Sequence, residues 1–278
     1  MSNETVDKKN AEDGYMPVQD YIGQGYSFNY GEKTGEFAKK HRQKIIDKVH
    51  HFFMEKYGLN VTVHSLVGAK NAVVAFVESK QNPKFHTSVI VGVDLQNNKV
   101  GDVGAYEGKV EGAITSGLYV MAYEKEFQNL DEFCEQIAEK YPVIGMRIEA
   151  VNNTMDSGYT TQYYYTSTSQ LIYPNAYDAF VKKTNSSNQD YRNLIEEKTF
   201  KKNDMLISLT FYMKKKHSLP DQKVANEIIE LFKQKQGLPP GTYGIFVQSN
   251  DILKRTGTEK KFVGTTPGVD DIIIEPKK

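Results

Sequence analysis

The residues best equipped to recognise a ligand lie in one run, GYTTQYYYTSTSQ, from Gly158 to Gln170, where Tyr159, Tyr163, Tyr164 and Tyr165 stand among threonine and serine hydroxyls. Read as an extended strand, the run places Tyr159, Thr161, Tyr163 and Tyr165 on one face and Thr160, Gln162, Tyr164 and Thr166 on the other. Tyrosine and threonine both favour strands, so one-sided packing accounts for the pattern without any ligand. Tyrosine also joins a large apolar area to a polar tip, and a row of such rings forms a stacking and hydrogen-bonding platform for a sugar or a peptide. Both readings stand, and Tyr159, Tyr163 and Tyr165 are the candidate ligand-binding residues.

Other chemistries find less support. His41, His50, His51, His64, His86 and His217 form no HExxH arrangement, and a lone cysteine, Cys134, excludes thiolate cages. His50 and His51 are neighbours on an expected helix and point about 100° apart, so they cannot readily share one ion. Cys134 lies in DEFCEQIAEKY, on the helix side shared with Ile137, Ala138 and Tyr141. Its acidic neighbours raise a thiol's pKa, the opposite of what a nucleophile needs, and a buried structural cysteine is expected. Nothing reads G-x-S-x-G. Gly23-Gln24-Gly25 follows no strand and precedes no Gly-Lys-Ser/Thr, so it reads as a turn. No spacing selects a carboxylate pair for glycoside chemistry. The sequence therefore assigns no catalytic residue, no metal site and no cofactor.

Composition narrows the partners. Lys+Arg and Asp+Glu are both 35, so the chain lacks the basic excess that neutralises phosphates, and no nucleic-acid partner is expected. Lys214-Lys215-Lys216-His217 reads as a solvated strand end. With one cysteine there is no intramolecular disulfide, and no apolar stretch is long enough to span a bilayer. A chain of 278 residues suits one large domain or two small ones.

The elements that must position these residues follow from periodicity. Residues 1–14 are polar, of mixed charge, and read as a flexible tether. An aromatic, glycine-punctuated segment follows, anchored by Tyr15, Val18, Tyr21, Ile22 and Phe28. Phe37, His41, Ile45, Val49, Phe52 and Phe53 predict one long amphipathic helix from about Gly35 to Tyr57, stopped by Gly58. Strands are predicted around Val61 to His64, Ala72 to Val77 and Val89 to Val93, joined as an antiparallel meander. Helices are expected over Val110 to Tyr123, weakened by Gly112 and Gly117, and over Asn129 to Tyr141, where Asn129 and Glu132 resemble a capping box. Val143 to Val151 is ambiguous, and Pro174 to Lys183 and Asp190 to Lys198 look helical. Met205 to Met213 alternates strictly as a half-buried strand. A helix opens near Asp221 with Val224, Ile228, Leu231 and Phe232 as its stripe, and Tyr243 to Gln248 returns as a strand. Ile272 to Ile274 is a candidate docking strand. The expected class is α+β, with mostly antiparallel sheet covered by amphipathic helices. The expected division is a subdomain over 15–142, a second over 143–255 and a tail over 256–278.

Four phrases, MPVQDYIGQGY from Met16, GLYVMAYEKEF from Gly117, SGYTTQYYY from Ser157 and GLPPGTY from Gly237, resemble a family of Gram-positive, staphylococcal-type lipoproteins classed only as a domain of unknown function. The resemblance spans Gly14 to Lys254. It implies a protein outside the cytoplasm, lipid-anchored to the cell membrane and held by a polar tether, provided that the precursor carries a lipobox. The lipid-bearing cysteine is absent from this sequence. The resemblance supplies no site residues. The resulting expectation is a non-enzymatic binding or interaction protein for a peptide, glycan or protein partner, touching the membrane only through its lipid. The alternative is a cell-envelope enzyme, for instance a hydrolase, with a site assembled from distant residues.

Overall fold

The computed structural model describes residues 14–184, 186–266 and 268–276. Strand β1 (Tyr15–Pro17) leads through the aromatic segment to α1 (Glu32–Lys40) and α2 (Arg42–Tyr57). The single helix predicted from about Gly35 to Tyr57 is thus two. The backbone leaves helical geometry at His41 (φ −111°, ψ 20°), whose ring hydrogen-bonds Asn98 at 3.0 Å. Helix α1 is held near residue 69, where the Thr34 hydroxyl donates to the Ala69 carbonyl at 2.7 Å, whereas α2 crosses to Gly101, whose carbonyl accepts from Lys48 Nζ at 2.8 Å. One straight helix would not serve both. Gly58 ends α2 as expected, left-handed at φ 67°.

The meander follows as β2 (Thr62–Ala69), β3 (Ala72–Ser79), β4 (Phe85–Asp94) and β5 (Lys99–Gly104), all antiparallel in the order β2-β3-β4-β5. Next come α3 (Lys109–Ala122) and α4 (Glu124–Lys140), separated by Tyr123 alone. Helix α4 begins five residues before the predicted cap, because Asn129 is spent elsewhere: its amide donates to the Gly237 carbonyl at 2.7 Å. The ambiguous stretch resolves into β6 (Val143–Ile144) and α5 (Ile148–Thr154). Beyond it lie β7 (Tyr164–Ser167), α6 (Pro174–Val181), α7 (Asn188–Glu196) and β8 (Leu206–Met213). The chain ends through α8 (Gln222–Gln234), β9 (Gly241–Gln248), β10 (Asp251–Leu253), β11 (Thr258–Glu259), β12 (Phe262–Gly264) and β13 (Ile272–Ile274).

A second, six-stranded sheet runs β12-β9-β8-β6, with β7 also on β8 and β13 also on β9. Strands β8 and β9 are parallel, joined by the α8 crossover, and every other pairing is antiparallel. A small sheet of order β1-β10-β11 completes the α+β fold. The main core draws Val49 and Phe53 from α2, Val77 and Val89 from the meander, and Ile207, Leu209, Ile245 and Val247 from the second sheet. A smaller cluster of Val18, Tyr21, Met146, Val151, Tyr212 and Ile252 forms apart from it.

Helix α3 sits at the centre. It packs on β4 of one sheet, β7 of the other, and α6 and α7. Its two glycines, which lower helix propensity, mark where backbone meets backbone. A Cβ at Gly112 would lie 2.8 Å from the Thr168 carbonyl oxygen, and one at Gly117 would lie 2.6 Å from that of Lys84. Strand β4 also touches the start of the tyrosine run directly, through the His86 N–H donating to the Gly158 carbonyl at 2.7 Å. The His86 ring is buried and meets Asn152 Oδ1 at 2.9 Å. Burial lowers its pKa below the ordinary 6.5, against the Asn152 hydrogen bond and the nearby Glu78 charge, while His64 adds to the lowering.

Two outcomes follow. Gly117→Ala and Gly112→Ala will each lose about 1–3 kcal/mol in chemical denaturation despite the ~1 kcal/mol helix preference of alanine. Gly35→Ala in α1, whose Cβ would meet nothing closer than 3.9 Å, will be neutral or stabilising by up to ~1 kcal/mol. For His86 the folded-state pKa is depressed, so its contribution to stability is present above 6.5 and is lost as pH falls through the folded value. An NMR titration of the His86 imidazole will show a midpoint below 6.5; a midpoint at or above it contradicts the burial argument.

Candidate ligand groove

The tyrosine run is not one strand. The Thr161 N–H donates to the Tyr164 carbonyl at 2.8 Å and the Thr166 N–H to that of Tyr159 at 2.8 Å, so the chain doubles back over Thr161 to Tyr164. The Thr161 hydroxyl accepts from the backbone N–H groups of Tyr163 and Tyr164, both at 3.2 Å, which holds the turn locally. Only Tyr164 to Ser167 joins a sheet, as β7 against β8. The simple alternation expected over Tyr159 to Tyr165 is therefore corrected. Tyr159 and Tyr164 come together on the inner side, ring centroids 6.2 Å apart, both against Phe127. Tyr164 donates to Asp131 Oδ1 at 2.7 Å, and burial raises the Asp131 carboxyl pKa against that bond.

Tyr165 turns the other way. The register pairs Tyr165 with Ser208, Thr210 with Phe246, and Tyr212 and Phe262 with Gln248. These side chains share the outer face of the second sheet, because Ile207, Leu209, Ile245 and Val247 at the alternate positions enter the main core. They floor a groove of about 390 Å³. One wall is Met146, Val151 and Met155, before, within and after α5; another is the Thr160 to Tyr163 turn; a third is Thr256 to Glu259, leading into β11. The smaller hydrophobic cluster closes the Tyr212 end.

Of the three candidate residues, the structure brings Tyr165 into this groove, places Tyr163 in the turn that walls it but with its ring on the core side, and places Tyr159 outside it. Tyr163 is half-buried, its ring 5.8 Å from that of Phe211. Tyr159 lines a separate recess of about 180 Å³ with Lys84, Phe127 and Asp131. Sequence reasoning did not single out the floor residues Ser208, Thr210, Tyr212, Phe246, Gln248 and Phe262, nor Glu259 on the wall. The signal was the polar half of the Met205 to Met213 alternation, which reads as solvent-facing.

Two electrostatic features mark the groove. Gln248 is 8% exposed, yet its Oε1 accepts no hydrogen bond. Leaving a buried acceptor unmatched costs about 1–3 kcal/mol. Glu259 is the one charged side chain among the described residues lining the groove. Burial raises the Tyr212 hydroxyl pKa, and the Glu259 charge raises it further, which puts that carboxylate within electrostatic reach of the floor.

Elsewhere the titratable groups are dispersed. His64 meets Glu78 at 2.7 Å, His217 meets Asp251 at 2.6 Å and His51 meets Glu55 at 3.0 Å. No group of three or more His, Cys, Asp or Glu among the described residues is arranged to hold a metal ion. Cys134 is buried, and burial followed by Asp131 and Glu135 pushes its thiol well above the ordinary value. Lys216 pairs with Asp20 at 2.8 Å. No described helix is long and apolar enough to cross a membrane.

A search of curated proteins finds no match. Among solved structures, the chain is similar to a DUF1672 family protein from Staphylococcus aureus subsp. aureus Mu50. The two share a TM-score of 0.76 at 20% identity, over 95% of this chain and 99% of the other, so the likeness is one of fold. Residues 8–275 match the family described as Protein of unknown function (DUF1672). With nearly its whole length matched, this chain belongs to the DUF1672 family.

Proposed function

We propose that the protein is a non-enzymatic binding protein acting outside the cytoplasm, and that the groove holding Tyr165 is its ligand site. The observation that carries the site is Gln248. A side chain 8% exposed, on the floor of an open groove, keeps an unmatched amide oxygen. Such groups are normally satisfied, and because this oxygen is itself sealed from solvent, a ligand on the floor would supply the missing donor only as the Gln248 side chain turns toward it. The surroundings suit reversible recognition: aromatic faces at Tyr165, Phe246 and Phe262, adaptable methionines at Met146 and Met155, and hydroxyls at Ser208 and Thr210. The location rests on the resemblance to staphylococcal-type lipoproteins and on the polar composition of the first fourteen residues.

Two measurements test this reading. Chain labelled with ¹³C at the methionine methyls is titrated with a fragment library of neutral, anionic and cationic aromatic compounds. Binders will shift Met146 and Met155 while leaving Met54, an exposed residue of α2, unmoved. Thr210→Trp, which fills the groove from its floor, will abolish those shifts with an unchanged melting curve. Shifts confined to other methionines, or persisting in Thr210→Trp, would reject the groove. For location, fractionation of the source cells will recover the protein with the membrane, released by inhibiting lipoprotein maturation; recovery with the cytosol rejects the extracytoplasmic reading.

A further inference from the structure

We infer that the ligand of this groove presents a cationic nitrogen bearing N–H groups, a primary ammonium or a guanidinium, on an apolar stem, with Glu259 as its counter-charge. The inference rests on the groove being the ligand site and adds what that site selects. Charge complementarity is the first argument. Of the described residues lining the groove, Glu259 alone is charged, so no lysine, arginine or histidine in that lining neutralises it. An anion placed there meets repulsion with no compensating cation, and a neutral polar ligand leaves the carboxylate unused.

The second argument concerns donors and acceptors. Gln248 Oε1 is an acceptor without a donor, and the Glu259 carboxylate can only accept. The ligand group that answers the accessible Glu259 carboxylate, and Gln248 once its side chain turns to the groove, must donate, and ammonium and guanidinium groups donate without accepting. The third is the aromatic surface. Tyr165, Phe246 and Phe262 offer ring faces, which attract cations through the ring quadrupole. Met146, Val151 and Met155 supply the apolar wall that a hydrocarbon stem would cover. The electrostatic coupling of Glu259 to Tyr212 is consistent with this placing of the charge.

The experiment compares probes of one skeleton: phenethylammonium, 2-phenylethanol and phenylacetate, followed by the Met146 and Met155 methyl signals. The cation will bind roughly tenfold tighter than the alcohol, the anion will not bind, and Glu259→Gln will remove the advantage of the cation while leaving the alcohol unchanged. The cation's affinity will fall with added salt, since Glu259 is only half-buried. A second arm uses acetyl-Phe-Lys-amide against acetyl-Phe-norleucine-amide; a lysine advantage greater than that of phenethylammonium identifies a peptide as the source of the cation, and a smaller one identifies a free amine. Equal binding of cation and alcohol in the wild-type chain overturns the cationic assignment while the groove survives, and that comparison needs no variant to fold. If no probe moves Met146 or Met155, the groove itself is rejected.

Discussion

The architecture depends on how closely α3 can approach its neighbours. Backbone contact at Gly112 ties the helix to the segment after β7, and at Gly117 to the segment before β4. Because these segments belong to different sheets, the glycines set the separation of the two sheets across a single helix. A methyl group at either position must displace main-chain carbonyls rather than a pliable side chain, and close-packed interiors transmit such shifts. The His86 to Gly158 hydrogen bond and the tyrosine turn that follows Gly158 lie along the same seam. The groove is therefore positioned from behind, by contacts on the core side of the sheet.

Much of this frame was legible in the residues. The strict alternation of Met205 to Met213 is β8, the stripe of Val224, Ile228 and Phe232 is the buried side of α8, and Gly58 stops α2 where left-handed geometry requires it. What was not legible depends on partners distant in sequence or on competing local bonds. His41 continues a helical period but spends its ring on Asn98, and Asn129 looks like a cap but serves Gly237. The tyrosine run has the alternation of a strand, yet the Thr161 hydroxyl captures two backbone donors and folds the run on itself. Gly112 and Gly117 looked like weaknesses of a helix because propensity is local and close approach is not.

The groove shows the same division. Its floor was written into the polar positions of β8, but alternation says only which way a side chain points, not what lies above it. Met146 and Val151 come from elsewhere in the chain to wall it, packed with Tyr212 and Ile252 in the smaller cluster. The turn separates the tyrosines: the rings of Tyr159 and Tyr164 pack with Phe127 and that of Tyr163 with Phe211, while Tyr165 turns to the groove side. Substitutions on the groove side leave the Tyr164 to Asp131 bond intact.

The three-residue strand β1 carries a mechanical consequence. It pairs Tyr15 with Leu253, Met16 with Ile252 and Pro17 with Asp251, and the Gly14 carbonyl accepts from the Lys254 N–H at 3.0 Å. Strand β10 then runs directly into residues 256–259, the third wall of the groove. Any pulling force applied through the chain ahead of Gly14 is thus borne first by this short ladder and passed to that wall. A load on the N-terminal end would reach the wall of the groove before it reached the main core.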